Sequence, residues 1–249
     1  PLMFSQEVVE AAQRHARAEF PKESCGLVVG GVYHPCRNVA EDPEKDFIVH
    51  PQDQAKALTK GKLQAVIHSH PGGPAWPTQA DMEGQLKTGV PWAIIPLLED
   101  RMGEPLVWGA DTPIPPMIGR QFVHGITDCY SIIRDTFRLG REELAKQDIV
   151  WPFDPIELPE VPRDDAWWLR EDQDLYMDLF QPFGFEEINF KEARAGDVFL
   201  INVNSPKVNH GGVLLGNNLL MQHFPGRLSR REPAGLWARQ ATVWLRYKH

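Results

Sequence analysis

Two histidines one residue apart close an apolar run, and no other feature constrains this chain as tightly. Leu63-Gln64-Ala65-Val66-Ile67 reads as a buried strand ending in His68-Ser69-His70-Pro71. On a strand, residues i and i+2 share a face, so His68 and His70 leave the strand end pointing the same way. A Pro/Gly-rich loop then leads to Pro77-Thr78-Gln79-Ala80-Asp81. Thr-x-x-Asp is a helix-start pattern, which sets Asp81 in the first turn of a helix, facing the two imidazoles. Two imidazoles and a carboxylate make a three-ligand set for a first-row metal, and catalytic zinc takes three protein ligands with a fourth position left open. Taken alone, His-x-His leaves a plainer account open, in which Thr78 and Asp81 only cap a helix and the histidines are loop residues.

The full string is more specific. His-x-His-Pro followed by Thr78 and Asp81 resembles the JAMM (MPN) metallopeptidase motif. The resemblance implies zinc held by His68, His70 and Asp81, and a glutamate placed before an apolar strand as general base. Glu23, ahead of Cys25-Gly26-Leu27-Val28-Val29, supplies that glutamate. The family carries Ser where this chain has Thr78; the hydroxyl is kept, and with it the implied oxyanion-binding role. JAMM sites use no thiol, so Cys25 reads as an ordinary buried cysteine.

With 249 residues the chain has room for one large domain or two ordinary ones. A hydrophobic content of 42% suits a globular protein with a real core. A net charge of -8 argues against a nucleic-acid partner. No apolar run approaches the ~20 residues of a membrane span, so none is expected. Residues 1–5 lack a basic stretch followed by an apolar one, so no secretory leader is expected, and Pro1 in first place suggests a removed initiator Met. Three cysteines, Cys25, Cys36 and Cys129, are an odd and sparse set rather than a disulfide framework, which points to synthesis in a reducing cytoplasm.

Along the chain, Phe4, Val8, Ala12, Ala16 and Phe20 recur at helical spacing. A hairpin around Gly30-Gly31, a short strand Phe47-Ile48-Val49, a helix over 51–60, the His68 strand, a helix over 79–88 and a strand over 91–98 follow. This alternation predicts an α/β domain over residues 1–108 with a central mixed sheet. Residues 109–117 are rich in proline and read as a semi-stiff linker. The second half, residues 118–249, predicts an α+β domain: a helix starting at Cys129 with Asp128 as N-cap, a Trp-rich helix over 164–180, then short strands near 197–201, 212–215, 219–223 and 244–247. Core packing is the favoured role for the aromatics of 164–180, and Gly216-Asn217-Asn218 is a hairpin turn signal.

Cys129 at a helix N-terminus feels the positive end of the helix dipole, which favours thiolate. His210 begins a strand and serves as the candidate base, while a returning hairpin brings His223 as the residue that would orient it. Asp128-Cys129, Ala195-Gly196-Asp197, His210-x-Gly-Val-x-Leu-Gly216 and His223 together resemble the NlpC-type cell-wall endopeptidases, which are papain-like. The stretch between the two histidines is about one residue longer than in that family. This resemblance implies a Cys129-His210-His223 triad cleaving peptidoglycan stem peptides.

A JAMM-like domain joined to an NlpC-like one resembles the tail-tip proteins of lambda-like siphophages. That resemblance implies a peptidase with Zn2+ as cofactor, other phage tail-tip proteins as partners, synthesis in the host cytoplasm, a place in the virion tail tip and action at the host cell wall during DNA entry. The alternative is a structural tail-tip component whose peptidase folds serve as docking modules, with one or both sites inactive.

Overall fold

The computed structural model describes residues 3–248; Pro1, Leu2 and His249 lie outside the described residues, and with them the first two positions read for a leader. The chain divides between Pro113 and Ile114 into two compact units.

The first unit opens with α1 (Gln6–Glu19), capped by the Ser5 side chain accepting from Val8 N. Its apolar spacing puts Val8, Ala12 and Ala16 on one buried face. β1 (Cys25–Val29) and β2 (Val32–Cys36) form a hairpin through Gly30 and Gly31, both at positive φ. α2 (Pro51–Leu58) starts on a proline, where the missing N–H costs no helical hydrogen bond. β3 (Leu63–Pro71), α3 (Gln79–Thr88), β4 (Trp92–Leu97) and β5 (Leu106–Trp108) complete the unit. The sheet order is β2-β1-β3-β4-β5, with β3 and β4 parallel and the other neighbours antiparallel. Ala65 and Ile67 of β3 pack with α1 on one face of this mixed sheet. Strand alternation therefore turns His68 and His70 to the other face. Phe47-Ile48-Val49 does not form a strand; only a single bridge joins Val49 to Asn38.

In the second unit, α4 (Cys129–Ala145) is followed by α5 (Leu175–Phe180), β6 (Phe185–Ile188), β7 (Val198–Ile201), β8 (His210–Leu214), β9 (Leu219–Gln222), β10 (Arg230–Pro233), α6 (Gly235–Gln240) and β11 (Val243–Tyr247). Six strands in the order β10-β9-β8-β7-β11-β6 pair antiparallel throughout. Ile132, Ile133 and Phe137 of α4 share a core with Val198, Leu200, Val213 and Met221. The alternate residues Phe199, Leu214, Leu220 and Trp244 pack on the opposite face against Trp237 and Ala238 of α6. The sheet is thus buried on both sides.

The Trp-rich helix expected over 164–180 is broken. A 3-10 turn covers Trp167–Leu169, and α5 begins only at Leu175. Lys207 Nζ donates to the carbonyls of Arg170 and Gln173, which a continuous helix would need for its own ladder. Ala166, at φ 56, sets the turn off from the preceding chain. The aromatics still enter the core, where Trp167 and Tyr176 are buried. Among the described residues no helix is long and apolar enough to cross a membrane.

Candidate active sites

Three side chains converge at the end of β3. His68 Nε2 and His70 Nε2 lie 3.1 Å apart, and each sits 3.1 Å from its own oxygen of Asp81. One ligand atom from each residue falls within 4.8 Å of the others, and all three residues are buried. Asp81 is placed by a capping box: Thr78 Oγ1 accepts from Asp81 N at 3.1 Å, and Asp81 Oδ2 accepts from Thr78 N at 2.9 Å. Capping and clustering are therefore one arrangement, not alternatives. His70 Nδ1 donates to Pro74 O at 2.7 Å, which fixes its tautomer and leaves Nε2 as a lone pair aimed at the cluster. Aromatic rings enclose His68, with Phe47 at 4.5 Å and Trp92 at 5.7 Å between centroids. Two imidazole nitrogens and a carboxylate meeting at one buried point fit a zinc-like cation by the chemistry of the donor set.

Glu23 lies just before β1. The β1–β3 register pairs Cys25 with His68, and Ser69 N donates to Ser24 O at 3.0 Å, so Glu23 falls beside His70. Burial pushes its carboxyl up to about 8, against the pull of His70 and with a further push from Asp81. Burial also works to raise Asp81, but the two histidines win and hold it well below the usual carboxylate range. His68 is lowered by burial; His70 is raised, because its bond and charge contact with Asp81 outweigh burial.

The second unit gathers a thiol site at the start of α4. Asp128 caps the helix, accepting from Ser131 N at 2.9 Å, and Cys129 is the first helical residue. Asp128 is itself clamped by Arg163, whose Nε and Nη2 donate to its carboxylate at 3.0 and 2.9 Å in the interior. That guanidinium holds the Asp128 carboxyl down at about 2 against the opposing effect of burial. Cys129 Sγ lies 3.0 Å from Tyr176 Oη and 3.9 Å from Asn209 O, the carbonyl just ahead of His210. Burial, with Asp128 next, pushes the thiol up to about 12. His210 is pushed down to about 4, again by burial first. The thiolate expected from the helix dipole is thus replaced by a neutral thiol and a neutral imidazole. Among the described residues the two side chains share no hydrogen bond.

The side chain bonded to His210 is Gln222, not His223. His210 Nε2 donates to Gln222 Oε1 at 3.0 Å. The β8–β9 register opposes Gly212 to Gln222, so Gln222 shares a sheet face with His210, and His223, one residue on, takes the other. There His223 Nε2 donates to Arg227 O at 3.1 Å and the ring packs edge-on against Phe122. The extra residue between the two histidines was a usable signal for this shift. Nothing in the spacing of the chain signals Arg163, from the irregular segment after α4, or Tyr176, on α5.

The first unit matches the family described as prokaryotic homologs of the JAB domain over residues 5–103. Together, fold and His-His-Asp cluster define a protein with a JAB/MPN-like domain followed by a second, sheet-rich unit. Over 98% of its length the chain is 32% identical to tail tip assembly protein K of Escherichia phage N15, covering 95% of that protein. It is also 32% identical to tail tip assembly protein K of Escherichia phage lambda, over 80% of this chain and 85% of that one. A solution structure of a Desulfitobacterium hafniense protein is 25% identical, covers 42% of this chain and 79% of its own, and superposes with a TM-score of 0.35. The chain belongs to the tail tip assembly protein K family.

Proposed function

We propose that this chain is a tail-tip component with two peptidase sites: a zinc-dependent one in a JAMM-like domain, residues 1–108, and a cysteine-dependent one in an NlpC-type papain-like domain, residues 118–249. The observation that carries the reading is the convergence of His68, His70 and Asp81 on one buried point beside Glu23.

In the first domain His68, His70 and Asp81 would hold the zinc, which would supply Lewis acidity there. Glu23, pushed up to about 8, is poised near neutral pH to take a proton from a nucleophile and return it to a leaving amine. Thr78 keeps a hydroxyl proton to give, because its oxygen accepts from Asp81 N and its hydrogen remains available for a developing oxyanion.

In the second domain Cys129 Sγ attacks an amide carbonyl of a peptidoglycan stem peptide. A bond forms from sulfur to carbon, the thiol proton passes to His210 Nδ1, and the same proton leaves with the amine as the C–N bond breaks; water then adds to the thioester with His210 again as base, releasing the acid and returning a proton to the sulfur. Backbone N–H groups at the start of α4 face the developing oxyanion. Gln222 holds His210 with Nε2 protonated, which leaves Nδ1 as the base. Synthesis in the host cytoplasm, assembly with other tail-tip proteins and local opening of the cell wall complete the reading.

A second reading is a structural tail-tip component with a silent thiol site. It is favoured by the neutral thiol, which bonds Tyr176 rather than His210. Digestion of purified diaminopimelate-type peptidoglycan by wild type, Cys129→Ala and Glu23→Gln, followed by mass spectrometry, separates the two. Peptide release by wild type and Glu23→Gln but not by Cys129→Ala supports the cysteine peptidase. No release by folded wild type supports the structural reading.

A further inference from the structure

Gln222 poses a question of orientation. A side-chain amide offers an oxygen on one side and an NH2 on the other, and either could meet an imidazole nitrogen. With oxygen toward His210, the ring must carry its proton on Nε2 and keep Nδ1 as a lone pair. With nitrogen toward His210 the tautomer reverses, and Nδ1 could no longer take a proton from the thiol. What lies on the far side of the amide decides between them.

There, Gln222 Nε2 meets Glu232 Oε2 at 3.4 Å. An ionised carboxylate only accepts hydrogen bonds, so it selects the NH2 end of the amide and turns Oε1 toward His210. The placement follows from the sheet. β10 pairs Arg230 with Gln222 and Glu232 with Leu220, so Glu232 lies on the same face as Gln222. The carboxylate is held in turn: Trp237 Nε1 of α6 donates to Oε2 at 2.5 Å, and Arg230 Nε stands 3.2 Å from Oε1. Gly212 stands opposite Gln222, where a Cβ would meet Met221 O at 2.4 Å and the Phe199 ring at 2.7 Å.

We propose that Glu232 is a positioning residue of the thiol site, fixing the amide of Gln222 and, through it, the Nε2–H tautomer of His210. The functional weight of this role rests on His210 being the base for Cys129. The tautomer itself is independent of that reading.

The test is the 15N spectrum of histidine-labelled full chain at neutral pH, with His210 assigned against His210→Gln. Wild type should show a protonated Nε2 and an unprotonated Nδ1 at His210. Glu232→Gln, nearly isosteric but able to donate, should give a mixture of both tautomers, and Glu232→Asp, which stays acceptor-only, should restore the wild-type pattern. An unchanged tautomer in folded Glu232→Gln overturns the proposal. If that variant does not fold, Trp237→Phe loosens the carboxylate from its other side and is read the same way, with the same opposing outcomes. Where peptidoglycan release is measurable, Glu232→Gln should lower kcat about tenfold with little change in KM. Because the tautomer is read without substrate, a protein with the expected tautomers but no peptidase activity removes the activity reading alone. Activity with an unmoved tautomer removes the role of Glu232 alone.

Discussion

His68 Nε2 faces His70 Nε2 at 3.1 Å in the interior of the first unit. Pro74 O occupies the proton on His70 Nδ1, so His70 brings a lone pair to that contact, and Asp81 brings two more acceptor oxygens. A buried meeting of acceptors is repulsive unless a proton or a cation lies between them. The fold maintains it through one strand end and one helix cap.

The cap should therefore matter to metal affinity as well as to stability. Thr78→Ala removes the acceptor for Asp81 N. It should cost about 1 kcal/mol in urea unfolding and weaken zinc binding by about tenfold, while Thr78→Ser should retain both. Calorimetric zinc titration of the three proteins checks this.

Arg163 should be the most sensitive surface-remote position in the second unit. Its guanidinium is buried and paired with Asp128, the residue that caps the helix carrying Cys129. Arg163→Met strands that carboxylate and should destabilise the second unit by about 3–5 kcal/mol. Denaturant unfolding followed by tryptophan fluorescence reads the loss, with zinc content of the first unit unchanged.

The pH dependence of stability carries a sign. His210 titrates at about 4 in the fold against about 6.5 in an unfolded chain, so between these values the unfolded state binds the extra proton. The stabilising contribution is fully present above about pH 6.5 and is lost as pH falls toward 4, up to about 3 kcal/mol. His210→Gln should flatten the stability curve across that window; an unaltered slope would mean that the imidazole is not buried as described.

Cys129 should alkylate slowly at neutral pH. With the thiol pushed up to about 12, thiolate is scarce at pH 8. The Tyr176 bond acts in the opposite direction, lowering the thiol, so Tyr176→Phe should slow alkylation further at fixed pH. Iodoacetamide labelling followed by peptide mass spectrometry gives both rates.

Features set by short-range pattern were legible in the chain. His68, His70 and Asp81 are fixed by strand period and a helix cap, and Cys129 by its own N-cap. Features set by long-range pairing were not. Lys207 captures two carbonyls 37 and 34 residues away and breaks the helix that the Trp-rich segment predicts. The partner of His210 depends on strand register, where a slip of one residue exchanges faces, and so Gln222 takes the place expected for His223. Helix-dipole reasoning favoured thiolate at Cys129, but burial of the sulfur outweighs it.

The most direct test of the metal centre is zinc content by mass spectrometry of protein purified with zinc present, comparing wild type with Asp81→Ala and His70→Ala. The account predicts one zinc per wild-type chain and none in either variant, with the second unit's unfolding transition unmoved. Stoichiometric zinc retained by Asp81→Ala and His70→Ala, or a folded wild type that takes up none, would contradict it.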